Sequence, residues 1–439
     1  MAETAHAPAT QVADPVAAPT PATSHFGARA ARRMLAAFTH RDFRVQWFGA
    51  CTSSIGTWTQ LTAQNWLVLS LTGSAFYLGL DGFLQQLPIM LFTLIGGVMA
   101  DRLDRRRTLL MSQYIQMGTA IVLAILVYSG VVRIWYILAL SFITGVAQSF
   151  GGPAYQALIP SLVTKDDLPN AIAFNSIQFN IARVLGPLVF GETLAIAGRH
   201  MFTDEQQMAI CFGLNAVSFL VVIYTLMSLR VKHIPPAEKH RVRDELTGGL
   251  RYVRNHASLM SLIVLALMTT FLGFAVLQFL SIFAQKVFHE GAETYSRLLV
   301  FSGMGSIAGA LAIAWLGKFR HMGATSLIIL GLYGALIVAF AMSRTMWISE
   351  LVLFFAGAAL MVVASSVMSL VQLIAPNEMR GRVVSIYMVA FRGGMPLGSL
   401  VSGYLAAVLG APMAIGINGA LLIAVAAYFL VFSRGMSEA

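Results

Sequence analysis

The chain has 439 residues, 57% of them hydrophobic and only 11% charged, with a formal net charge of +10 and a mean hydropathy of +0.75. Soluble domains carry about 25% charged residues, so a water-soluble globular enzyme, a coiled coil and a disordered scaffold are excluded. The apolar residues run in blocks of about 20 rather than in helical stripes, which predicts a polytopic α-helical membrane protein.

Residues 1–24, rich in Ala, Pro and Thr, read as a disordered tail and lack the apolar core of a signal peptide. The segment 27–42, with Arg29, Arg32, Arg33 and Arg41, reads as a short basic helix on the membrane surface. Twelve spans follow: 43–71, 76–100, 107–129, 134–158, 169–197, 207–230, 259–288, 293–316, 323–343, 347–374, 381–409 and 412–433. A polar stretch, 231–258, separates the sixth from the seventh; it holds Pro235 and Pro236 and a surface helix around Glu245–Arg254. The expected organisation is a cytoplasmic tail and surface helix (1–42), a six-helix bundle (43–230), a linker (231–258), a second six-helix bundle (259–434) and a short tail (435–439).

With both termini cytoplasmic, the cytoplasmic face collects twenty-two Lys and Arg residues and the outer face five, the asymmetry of the positive-inside rule. Topology and anionic lipid thus account for the positive charge, and nucleic-acid binding is not expected. Cys51 and Cys211 both lie in apolar runs, so neither a disulfide framework nor a cysteine metal cage is available. No HExxH zinc motif, GxSxG elbow or phosphate loop occurs. The stretch Gly303–Ala308 fits a loose GxGxxA pattern, but no strand precedes it; close helix packing through Gly305 and Gly309 is the better reading.

The two halves read as copies. Arg183-Val-Leu-Gly-Pro187 parallels Arg392-Gly-Gly-Met-Pro396, and Phe212-Gly-Leu-Asn215 parallels Ile415-Gly-Ile-Asn418. Parallel six-helix repeats are the plan of one large transporter class. Polar side chains within spans face protein or water. Ser53, Thr57, Gln60 and Gln64 fall within an arc of about 60° on span one. Span four has Ser141, Thr144 and Gln148, span seven Thr270, Gln278 and Ser281, and span ten Ser365, Ser369 and Gln372. Such stripes on the first helix of each three-helix unit line a wet cavity, and Asn65 and Gln178 join the list; interhelical bonding is the plainer alternative.

Arg183 and Arg392 occupy matching places in spans five and eleven. Each either pins helix packing or serves as counter-ion to a substrate or a titrating acid. Asp81 and Glu192, shallow in spans two and five, are the acids placed to load protons outside; wetting by an outer vestibule is the alternative.

Between spans two and three runs Gly97-Val-Met-Ala-Asp101-Arg102-Leu-Asp104-Arg105-Arg106-Arg107. It resembles the major facilitator superfamily signature G-x-x-x-D-R-x-G-R-R, with Asp104 in place of the usual Gly. The resemblance implies that Gly97 allows close helix approach, and that Asp101 caps span eleven and pairs with Arg102, Arg105 and Arg106 as a gate latch. Residues 40–74, 169–187 and 380–399 further resemble the transmembrane secretion effector group, which includes enterobactin exporter-like proteins. Members of that group carry an Arg and an Asp in span one where this chain has Leu61 and Asn65. Gly186, Pro187 and Gly191 resemble a shortened drug/proton antiporter motif, and Pro396 repeats the kink in span eleven.

The resemblance implies an alternating-access carrier in a bacterial inner membrane, exporting an amphipathic small molecule against proton entry. It would need no cofactor or metal and would act as a monomer. An importer or facilitator, a lysophospholipid flippase and a non-transporting sensor are the rival readings.

Overall fold

The computed structural model describes residues 35–102, 104–200, 202–230, 242–317 and 321–432, giving backbone only at 94, 97–102 and 242–247. The tail, most of the basic segment before residue 35 and the linker residues 231–241 lie outside the described residues. Six helices come first: α1 (Arg41–Thr72), α2 (Ala75–Arg102), α3 (Arg105–Tyr128), α4 (Ile134–Leu158), α5 (Leu168–Arg199) and α6 (Asp204–Ser228). A shorter α7 (Val242–Arg254) leads into α8 (Ala257–Gly273) and α9 (Ala275–Ile282). Then come α10 (Ala292–Leu316), α11 (Met322–Met342), α12 (Met346–Ile374), α13 (Arg380–Leu409) and α14 (Ala411–Phe432). Ten helical stretches among the described residues, from α3 onwards with α8 and α9 read as one, are long and apolar enough to cross a membrane.

Local chemistry explains where the helices stop. Gly73, in the left-handed region at φ 60°, closes α1 by donating its N–H to Leu69 O. Thr203 and Gln206 form a reciprocal capping box at the start of α6. Asp104, the departure from the signature glycine, is the N-cap of α3: its carboxylate accepts the Arg107 N–H at 3.1 Å. The substitution supplies a cap where a glycine would supply only backbone freedom. The expected surface helix in the linker is present as α7, seated on the first turns of α13, where Gly249 faces Arg382 and Ile386.

One expected span is not continuous. In place of the single helix expected over 259–288, α8 ends at Gly273, α9 begins at Ala275, and a π turn occupies Phe283–Val287. The ring of Tyr333 on α11 packs against the break. It packs so close to Gly273 that a Cβ there would sit 2.8 Å from the ring, and its hydroxyl donates to Gly273 O at 2.8 Å. That bond satisfies a carbonyl released by the break, the condition for interrupting a helix at membrane depth.

In the first six helices, α1 packs on α5 and α6, α2 on α4, and α3 on α4 and α6; from α8 onwards, α10 packs on α12, α11 on α12 and α14, and α13 on α8. Two long contacts join the sets, α2 with α13 and α5 with α10. Gly305 and Gly309 lie against Phe354 and Ala358 of α12, which is the close helix packing their spacing predicts. The outward surface is apolar, with Trp315 86% and Tyr224 73% exposed, as acyl chains require.

The α2–α13 crossing is tightest where Gly79 meets Gly403: a Cβ on Gly79 would come within 2.8 Å of the Gly403 Cα. A larger residue at 403 forces the sets apart, at about 1–3 kcal/mol for overpacking. In Gly403→Val, a Leu78→Cys probe, whose site is fully buried in the parent, should label with a membrane-impermeant maleimide. Labelling as slow as in the parent background would contradict this.

Candidate functional site

The end of the molecule carrying the turns at Gly73, Gly130, Glu290, Arg344 and Gly410 is here called the short-turn end; in the expected topology it faces outside. There the two sets of helices are joined. Asn65 Nδ2 on α1 donates to the Tyr295 hydroxyl on α10 at 3.2 Å, and Trp66 stacks on the same ring with centroids 6.1 Å apart. Lys286 Nζ donates to Gly73 O at 2.7 Å, Ser296 Oγ to Pro187 O at 2.5 Å, and Gln278 Nε2 to Leu78 O. Every described hydrogen bond between the sets belongs to this group. The structure is therefore a state closed at the short-turn end.

Immediately inside that closure lies Asp81, only 1% exposed. Its carboxylate accepts from Gln64 Nε2 at 2.7 Å and from Ser141 Oγ at 2.5 Å, and the Gln64 amide also reaches Ser141 Oγ at 2.8 Å. Three helices, α1, α2 and α4, thus converge on one carboxyl group. No cation among the described residues pairs with it. Gln64 and Asn65 are consecutive on α1, so the donor to Asp81 and the donor to Tyr295 move together.

The other predicted residues divide by environment. Gln60 accepts from Asn215 Nδ2 of α6 at 2.7 Å, and Gln178 donates to Ala50 O at 3.0 Å and Ser54 Oγ at 2.7 Å. These two amides, like those of Gln64, Asn65 and Gln278, bridge helices. Gln148 and Gln372 are exposed, and Ser369 and Gln372 line a cavity of about 480 Å³ with Arg380 at the opposite, long-loop end. Glu192 is exposed on α5 without an ion pair, and so is Arg392 on α13. Arg183 lies 6.0 Å above the Trp58 ring, with one guanidinium nitrogen buried and lacking a hydrogen-bond partner. The structure does not bring either arginine to Glu192 or Asp81 as an ion pair. Gly186 lets α5 approach Trp58 and Thr59 of α1, and the Thr59 hydroxyl donates to Gly186 O at 3.0 Å. Gly191 lines a second cavity of about 530 Å³ at the short-turn end with Asp204, Glu290 and Glu293. Pro396 is buried within α13.

Of the signature residues, Gly97, Asp101 and Arg102 are described by their backbone alone. Arg105 donates to Ala157 O at 3.1 Å and Arg106 to Met227 O at 2.5 Å. Both arginines therefore cap the last turns of neighbouring helices, α4 and α6, where carbonyls and the helix dipole favour a cation.

Sequence reasoning missed a second buried acid. Glu350 on α12, 1% exposed, forms a 2.7 Å ion pair with Arg297 on α10, and Arg297 also lies 5.8 Å from the Trp347 ring centre. The pair spans 53 residues, so spacing along a single helix could not disclose it.

At the long-loop end, His40 Nε2 donates to Asp167 Oδ2 at 2.7 Å and Thr164 Oγ1 to the same oxygen at 2.9 Å, tying the start of α1 to that of α5. The His40 and Thr164 bonds hold the Asp167 carboxyl below its usual range. A depressed folded pKa contributes stability that is complete above the unfolded value of about 3.9 and is lost as pH falls through the folded one. Asp167→Asn should thus lower the thermal midpoint at neutral pH, with the deficit vanishing on strong acidification; a deficit independent of pH would contradict the assignment.

Buried polar groups on helices that join two sets of long apolar helices are the features of a polytopic membrane carrier. The family described as transmembrane secretion effector matches residues 33–439, and the chain belongs to this family of the major facilitator superfamily. It is similar to the staphyloferrin A transporter of Staphylococcus aureus, 25% identical over 87% of this chain and 93% of that one. It is also similar to the multidrug efflux pump Tap of Mycolicibacterium fortuitum, at 24% over 82% and 88%. A bacterial homolog of the human lysosomal transporter Spinster, solved inward-facing and unoccupied, shares the fold with a TM-score of 0.70 at 13% identity, covering 90% of this chain and 97% of that one.

Proposed function

We propose that the protein is a proton-coupled exporter of an amphipathic, drug- or siderophore-like small molecule. It would be monomeric in a bacterial inner membrane, with both termini cytoplasmic. Twelve spans form two six-helix bundles, 43–230 and 259–434, that rock about the α2–α13 and α5–α10 contacts. The efflux pump Tap supports export and the staphyloferrin A transporter supports a siderophore-like cargo, and the grouping of helix contacts by half supports the two bundles.

The observation that carries the coupling is the Asp81 cluster beside the cross-bundle contact. With the short-turn end closed, Asp81 is withdrawn from water, and only Gln64 and Ser141 are at hand to solvate a charge. A protonated Asp81 suits that closure. Loss of the proton favours hydration, which requires the end to open; Gln64 then shifts, and Asn65, its neighbour, leaves Tyr295. The acidic rim of Asp204, Glu290 and Glu293, together with Glu192, would supply protons from outside. Asp101 and Arg102 would form the matching latch at the other end. The proton gradient is the driving force, and no cofactor takes part.

Asp81→Asn keeps a polar side chain of the same size but cannot exchange a proton. In inverted vesicles with an acidic lumen, its gradient-driven substrate accumulation should fall at least about fivefold, within the usual span of coupling energies, while downhill exchange persists. Accumulation that still follows the pH gradient in Asp81→Asn would remove Asp81 from the coupling.

A further inference from the structure

Arg183 and Arg392 are two charged residues within the spans that the coupling scheme leaves unused and that have no ion pair, and their placement is alike in detail. Each precedes, by five residues, an exposed apolar residue, Leu188 in α5 and Leu397 in α13. Five residues correspond to a rotation of about 140° on a helix, so each arginine points away from the side that meets acyl chains. On α13, Leu397, Val401, Tyr404 and Val408 all lie exposed on that outer stripe, yet Arg392 on the inward face is also exposed. Gly394 and Gly398 face Phe271 of α8 and Gly403 faces Gly79 of α2, so the side of α13 between those contacts and opposite Leu397, where Arg392 sits, faces the space between the bundles. On α5 the same inward face carries Phe179, 54% exposed.

Each cation has aromatic company. Arg183 lies over Trp58, which meets Phe179 edge-on with centroids 5.9 Å apart. Beside Arg392, Phe391 stacks on Tyr387 at 5.9 Å and meets Phe274 at 6.2 Å. Neither arginine has a hydrogen bond or an ion pair to an acid among the described residues, and one nitrogen of Arg183 is buried without a partner. The acids of the spans are engaged elsewhere or shallow: Asp81 with Gln64 and Ser141, Glu350 with Arg297, and Glu192 at the short-turn end. A cationic side chain at mid-bilayer costs about 2.5–3.5 kcal/mol on insertion scales, and each of these two arginines lacks the counter-charge that an anion would supply.

We infer that the transported molecule is an aromatic organic anion, its negative group held by Arg183 and Arg392 and its rings by the aromatic side chains beside them. This inference rests on the exporter reading and specifies its cargo. Aromatic faces alone would also accept organic cations, but two unpaired guanidinium groups repel them. Once the short-turn end opens, the acidic rim there discourages the released anion from returning.

The test uses two dyes on one xanthene scaffold with opposite charge, carboxyfluorescein and rhodamine 123, offered to inverted vesicles with an acidic lumen. The parent protein should accumulate carboxyfluorescein and not rhodamine 123. Arg183→Gln and Arg392→Gln should each lower carboxyfluorescein uptake about tenfold or more, the scale of a lost hydrogen bond to a charged group, with part of the activity retained in the Lys variants. Binding read from Trp58 fluorescence in a variant with the other five tryptophans replaced should respond to carboxyfluorescein and lose that response in Arg183→Gln. Uptake of rhodamine 123 with carboxyfluorescein excluded would overturn the anion assignment and leave the exporter reading standing. Carboxyfluorescein uptake unchanged in both Gln variants would overturn the arginine site. Uptake of neither dye, with the gradient undissipated, would count against the inference and the exporter reading together.

Discussion

A carboxyl group withdrawn from water inside a bilayer has to be solvated by the protein around it, and here that constraint is met at Asp81 by one amide and one hydroxyl. The arrangement is economical in parts. Gln64 comes from α1, Ser141 from α4 and the acid from α2, so any change in what the carboxyl group needs alters the packing of three helices at once. The next residue along α1, Asn65, holds the partner half through Tyr295. The residue that solvates Asp81 and the residue that holds the other half are thus neighbours in sequence.

The second half contains a contrasting device. Glu350 is as deeply buried as Asp81 and likewise links two tightly packed helices, α10 and α12. Its partner, however, is the guanidinium of Arg297 at 2.7 Å. A carboxylate paired with a cation has its counter-charge permanently at hand, whereas one that meets only neutral donors does not. The same end of the molecule therefore holds one fixed charge pair, which pins α10 to α12, and one acid suited to changing its state. This division fits a carrier in which one half moves past the other while each keeps its own packing.

Much of the fold was legible because membrane spans are written in long apolar runs, and the helix ends fall within a few residues of the predicted ones: α1 begins at Arg41 rather than 43, and α13 at Arg380 rather than 381. The break at Gly273 was not legible, since Tyr333, which packs against it, lies 60 residues away and closes on it only in three dimensions. Asp81, Gln64 and Ser141 were each singled out, but nothing in their spacing said that they meet. Glu350 passed unnoticed because an acid four residues inside an apolar run looks like a residue at the membrane surface. The glutamines illustrate a general ambiguity: an amide on a span either lines water or bonds a neighbouring helix. Only the contacts separate Gln60 and Gln178, which bond neighbours, from Gln148 and Gln372, which are exposed.

In the proposed coupling, the charge state of Asp81 sets whether the short-turn end is closed. Spin labels at Ser70→Cys on α1 and Gly291→Cys at the start of α10, in a background with Cys51 and Cys211 replaced by Ala, report that opening directly as a distance distribution. A short distance is expected at acidic pH, with a shift towards longer distances as the pH is raised and a distribution fixed at the short distance in Asp81→Asn. A distribution that ignores pH in the parent, or that shifts equally in Asp81→Asn, would contradict it.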